Sequence, residues 1–117
     1  MGDYKKLKVW QLADDLAVEV YEATKAFPGH ELYGLRSQLR RAMVSVGSNL
    51  AEGAGRNTDK EFKRFTSIAL GSANEVAYQI HLAGRLGYLK PEVVTDLEGK
   101  AEVLKRMLAA LMRRSGA

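Results

Sequence analysis

Apolar residues recur along the chain at spacings of three and four, the period of an α-helix, in four successive stretches. In the first, Val9, Leu12, Ala13, Leu16, Val20, Ala23 and Phe27 share a face, while Asp14, Asp15, Val18, Glu22 and Lys25 turn away. This pattern predicts a helix over 9–27, ended by Pro28-Gly29. Trp10, Ala17 and Tyr21 stand at the edge of that face, where they either complete the core or pack on another subunit. The second stretch predicts a helix from Tyr33 to Ala54 with the stripe Leu35, Leu39, Ala42, Val46 and Gly53, stopped by Gly53 and Gly55. Along one edge of the stripe runs a polar line, Gln38, Ser45, Asn49 and Glu52, with Arg41 nearby and Arg36 and Arg40 on the opposite face.

The third stretch has the clearest start. Thr58 and Glu61 form an S/T-x-x-E capping box, in which hydroxyl and carboxylate satisfy free backbone amides. The helix then continues to about Leu86, a length of ~42 Å at 1.5 Å per residue. Its seam is Phe62, Phe65, Ala69, Ser72, Val76, Gln79, Ala83 and Leu86. Leu70, Ala73, Ala77 and Ile80 widen the apolar arc beyond what one bundle easily covers, which favours a neighbouring chain. After the turn Gly87-Tyr88-Leu89-Lys90, Pro91 suits a first helical position, and Val94, Leu97, Ala101, Leu104, Leu108 and Leu111 repeat the pattern up to Arg113-Arg114. Four amphipathic helices with short connections predict an all-α, antiparallel up-down-up-down four-helix bundle, one domain over 1–117.

In such a bundle helices 2 and 3 form a hairpin turning near Asn57. That register sets Gln38 and Arg41 beside Glu75 and Ser72, and Ser45 beside Ala69. An Arg41–Glu75 ion pair with Gln38 as neighbour is the expected layer. Covered polar groups need partners, since an unpaired buried one costs roughly 1–3 kcal/mol. The polar set Gln38, Arg41, Ser45, Asn49, Glu52 and Glu75 therefore either fixes helix register, or meets another subunit, or borders a solvated face.

Charge changes this picture more by its distribution than by its sum of +4. Residues 11–31 carry a net of −4 and residues 32–64 a net of +4. Segregation of this kind lets an acidic face of one copy meet a basic face of the next, and equally provides a surface for phosphate. There is no cysteine, hence no disulfide or thiolate metal site. The start, MGDYKKLKVW, has lysines but no apolar run after them, and no stretch is long enough to span a bilayer, so a soluble cytoplasmic protein without membrane partners is expected.

Reactive chemistry is sparse. The chain has no Gly-rich phosphate loop with its lysine and no G-x-S-x-G elbow. A di-iron bundle site needs Glu-x-x-His, but Phe27 and Tyr78 stand three residues before His30 and His81. No catalytic residue, metal site or cofactor is expected. Two basic sets are candidates for nucleic acid instead. Lys63, Ser67, Asn74, Tyr78, His81 and Arg85 share the outer line of helix 3, where rings and cations could stack on bases and track phosphates. Arg36, Arg40, Arg56, Lys60 and Arg64 form the second. A subunit interface or a plain solvated face are the competing readings for both.

Several segments resemble one family. They are QLRRAMVSVGSNLAEG from Gln38 to Gly53, Gly55-Arg56, IALGSANE from Ile68 to Glu75, LKVWQLA from Leu7 to Ala13, Phe27-Pro28 and Gly87-Tyr88. Together they resemble the 23S rRNA intervening-sequence protein family over about nine-tenths of the chain. That family often has proline where this chain has Gly47, which implies a different bend in helix 2. The resemblance implies a small four-helix bundle, a homopentamer, and a link to RNA, without supplying a reaction. It extends to accessory proteins of diversity-generating retroelements, which implies a protein-binding adaptor, such as one serving a reverse transcriptase, as the alternative role.

Overall fold

The structure, a computed structural model, describes residues 2–114. Its four helices are α1 (Lys8–Thr24), α2 (Leu35–Ala54), α3 (Asp59–Arg85) and α4 (Pro91–Arg114), with short 3-10 turns at Tyr4–Lys6 and Gly29–Glu31. Each helix packs against its chain neighbours, and α1 closes the bundle against α4. The resulting rod measures 43 × 23 × 20 Å. Its axis is filled by Leu16, Leu39, Met43, Leu50, Phe62, Ile80, Leu104 and Leu108, all essentially inaccessible to solvent. Each such side chain contributes about 1.5–3 kcal/mol of burial.

The helix ends show why periodicity alone misplaces some boundaries. Helix α1 stops at Thr24 rather than Phe27. Pro28 disfavours helical backbone at the residue before it, and Phe27, three residues past the end of α1, is buried against the Tyr88 ring, centroids 5.3 Å apart. Helix α2 begins at Leu35 instead of Tyr33, because the Glu31 carboxylate caps it by accepting from the Leu35 amide at 2.8 Å. Tyr33 is left 92% exposed. At α3 half of the expected capping box forms: Thr58 Oγ1 accepts from the Glu61 amide, while the Glu61 carboxylate turns to Arg64. Helix α3 ends in a Schellman motif, with Tyr88 N donating to Ala83 O and Gly87 N to Gly84 O. Gly87 takes the required φ of +77°. Leu86, expected in the seam, caps the end of the helix and is 50% exposed.

Helix α2 runs unbroken through Gly47. Near its end α2 and α3 come so close that a Cβ on Gly53 would lie 2.9 Å from Phe65 Cβ. That contact also sets the register. The first turn of α3 overhangs the end of α2, so Phe62 and Phe65 come level with Gly53, and further along Ser45 faces Ser72 instead of Ala69.

Candidate nucleic-acid interface

On the outer side of the α2–α3 pair the polar line is connected at one level and open at the next. Ser45 and Ser72 hydroxyls are 2.9 Å apart, and Asn49 Nδ2 donates to Ser45 O and Oγ. Glu52 pairs with Arg56 at 3.0 Å. The expected Arg41–Glu75 ion pair is not formed: both side chains are exposed on the rim of a shallow groove of about 330 Å3 shared with Gln38 and Gln79. The shifted register sets Gln79 level with Gln38, and the buried Gln79 amide has its Oε1 without a partner in the chain.

The candidate cations divide between the two ends of the rod. Arg36 and Arg40 belong to the start of α2 and Arg85 to the end of α3. Arg56, Lys60, Lys63 and Arg64 sit at the opposite end, around the α2–α3 turn. Arg40 is structural: its Nε donates to Thr24 Oγ1 at 2.8 Å and its terminal nitrogen to Tyr21 O at 3.0 Å, with the guanidinium over the Tyr21 ring. A cation so placed binds the free carbonyl end of α1. Arg36 has its Nε buried without a partner in the chain. Arg56 and Arg64 both lie over the Phe65 ring. Arg64 also pairs with Glu61, and their hydrogen bond holds the Glu61 carboxyl below and the Arg64 guanidinium above their ordinary values.

The end that holds the α2–α3 turn gathers more charge than the turn itself supplies. An even number of antiparallel helices returns the chain to where it began, so Lys5, Lys6 and Lys8 meet Arg113 and Arg114 there. Lys6, Lys8 and Arg114 border one groove between the start of α1 and the end of α4. The Gly2 amide donates to Ala54 O, tying the N-terminal turn to the end of α2. Among the described residues at this end, nine Lys or Arg stand with Asp3, Glu52, Asp59 and Glu61, and two of those acids are occupied by Arg56 and Arg64. Among the described residues Lys5, Lys6, Lys8, Lys60, Lys63, Arg113 and Arg114 have no carboxylate partner. Two helix N-termini and two C-termini lie at this end, so their dipoles largely cancel and side chains decide the sign of the field.

Elsewhere the character differs. Between α1 and α4 a groove of about 490 Å3 has Val18, Val93 and Leu97 flanked by Glu19, Glu22, Glu92 and Asp96. Lys100 spans to Glu19 and Asp96, which raises its pKa. The outer line of α3 is exposed from Ser67 through Asn74, Tyr78 and His81 to Arg85, which with Lys90 borders a broad shallow groove near the α3–α4 turn. Among the described residues no group of three or more His, Cys, Asp or Glu is placed to hold a metal ion, and no helix is long and apolar enough to cross a membrane.

Fold and surface together define an all-α four-helix bundle with one strongly basic end. The chain belongs to the family described as 23S rRNA-intervening sequence protein, which it matches over residues 5–110. Among solved structures it is similar to a protein of unknown function from the S23 ribosomal protein family of Bacteroides thetaiotaomicron VPI-5482. The TM-score is 0.83 at 22% identity, covering 90% of this chain and 98% of that one, a likeness of fold. No curated protein matches the chain.

Proposed function

We propose that the chain is a non-enzymatic, self-assembling bundle, a homopentamer, that binds RNA or DNA through its basic end. The observation that carries this is the gathering of seven uncompensated cations from four separate elements onto one end of the rod. Counterion release from phosphates is the driving force such a surface exploits. Self-assembly is supported by the acidic α1–α4 groove, which complements that end in charge, and by Val18, Tyr33 and Tyr78, each more than 60% exposed. The same acidic groove favours a second reading, docking of a basic partner protein such as a reverse transcriptase.

Affinity of the purified oligomer for a structured RNA across a salt series, with mass measured in the same buffer, tests the reading. Lys60→Ala/Lys63→Ala and Arg113→Ala/Arg114→Ala should each flatten the slope of log affinity against log salt, by ~1 for each phosphate that the variant no longer neutralises. Arg85→Ala should leave it unchanged. Flattening by Arg85→Ala alone would move the interface to the outer face of α3. No binding at low salt would remove the nucleic-acid reading and leave the protein partner.

A further inference from the structure

Beside the basic end, the groove between α1 and α2 opens into a cleft of about 260 Å3 with Tyr4, Trp10, Gly47 and Ala51 in its lining. The two aromatic rings meet edge to face with centroids 5.0 Å apart, and both remain partly exposed. Their platform is fixed by the backbone. Asp3 Oδ1 accepts from Lys5 N, Gln11 Nε2 donates to Lys5 O, and Leu7 N donates to Tyr4 O. Opposite lies Gly47, where an added Cβ would stand in ordinary contact, 3.6 Å from Trp10 Nε1, so that only a larger side chain would crowd the indole and fill the cleft. Lys5, Lys6 and Lys8 interleave with Tyr4 and Trp10 along the chain.

We propose that this cleft takes one unstacked nucleobase, so that the nucleic acid held at the basic end is single-stranded. This rests on the reading proposed above. Aromatic platforms beside a cationic track are how proteins hold single strands, because every base offers a π-face while paired bases are already stacked. Drug-sized ligands occupy roughly 300–1,000 Å3; the smaller cleft suits a single flat ring with its sugar and phosphate left outside on the lysines. Asp14, on the rim, repels phosphate and so keeps the backbone on the lysine side. Its carboxylate accepts from the amino edge of cytosine, adenine or guanine.

Trp10 is the chain's only tryptophan, so its fluorescence reports on this cleft alone. The experiment titrates the full chain with a short oligocytidine and with a duplex RNA of equal length, each across a salt series. The expected result is quenching by the single strand and an affinity roughly tenfold or more above the duplex. Gly47→Leu, which fills the cleft without changing charge, and Tyr4→Ala should each remove that preference and leave the salt dependence intact. Should Gly47→Leu fail to fold, as circular dichroism would reveal, Tyr4→Ala, which alters a ring outside the four long helices, still decides. Equal binding of single strand and duplex with unchanged Trp10 emission overturns the cleft and leaves the basic end standing. Binding of neither overturns the underlying reading. Trp10 emission that shifts on dilution without nucleic acid means a second copy covers the cleft, which also overturns it.

Discussion

Two glycines inside helices should respond oppositely to the same substitution. Alanine is favoured over glycine in a helix interior by about 0.5–1 kcal/mol. At Gly71, on the exposed face of α3, an added Cβ meets nothing within 4 Å, so Gly71→Ala should stabilise by that amount. At Gly53 the new methyl lies 2.9 Å from Phe65 Cβ and 3.4 Å from Phe62 Cδ1. Neither ring can yield easily: Phe62 is fully buried, and Phe65 is covered by Arg56 and Arg64. Overpacking of this kind costs about 1–3 kcal/mol, which offsets and exceeds the gain in propensity, so Gly53→Ala should be destabilised by up to about 2 kcal/mol. Urea unfolding reads the difference, with protein concentration held fixed because assembly shifts the midpoint by mass action. With a slope of about 1–3 kcal/mol per molar urea, the two midpoints should lie roughly 1 M apart. A Gly53→Ala protein stabilised as much as Gly71→Ala would refute the close approach of α2 and α3, and with it the register derived from that approach.

Arg40→Ala should cost about 1–3 kcal/mol in the same assay, because it strips two hydrogen bonds from the end of α1, yet leave the salt dependence of RNA binding unaltered. Glu75→Ala should stay within about 0.5 kcal/mol of wild type, since it breaks no ion pair; a drop of several kcal/mol would mean that Arg41 and Glu75 do meet. The Leu35 amide, then the Tyr88 hydroxyl, hold the Glu31 carboxyl below its ordinary 4.5. Its contribution is therefore complete above that pH and is lost as the pH falls below it. Wild type should lose more urea resistance than Glu31→Gln between about pH 6 and about pH 3; parallel losses would contradict the cap.

Most of the fold is legible in the spacing of apolar residues, and two boundaries are legible in single side chains: Thr58 starts α3 and Pro91 starts α4. Phe27 misleads because its position continues the apolar period of α1, although Pro28 disfavours a helical backbone there. The α2–α3 register escapes a count from the middle of the turn because it is set by how far α3 overhangs α2. Arg40 reads as a free surface cation; its partners are Thr24 and a backbone carbonyl in another helix, which no local pattern reveals. The basic end is the largest omission from the candidate site. Its Lys5, Lys6, Lys8, Arg113 and Arg114 come from opposite extremes of the chain, and only the count of four helices, an even number, signals that they meet.

That even count bears on how the protein is handled. Gly2 and Arg114 emerge on the same side, among the unpaired lysines and arginines. A purification tag fused at either terminus would hang over that surface, and an acidic epitope would compete there with any polyanion. Insertion at the Gly87–Lys90 turn, on the far side of the rod, would leave it uncovered.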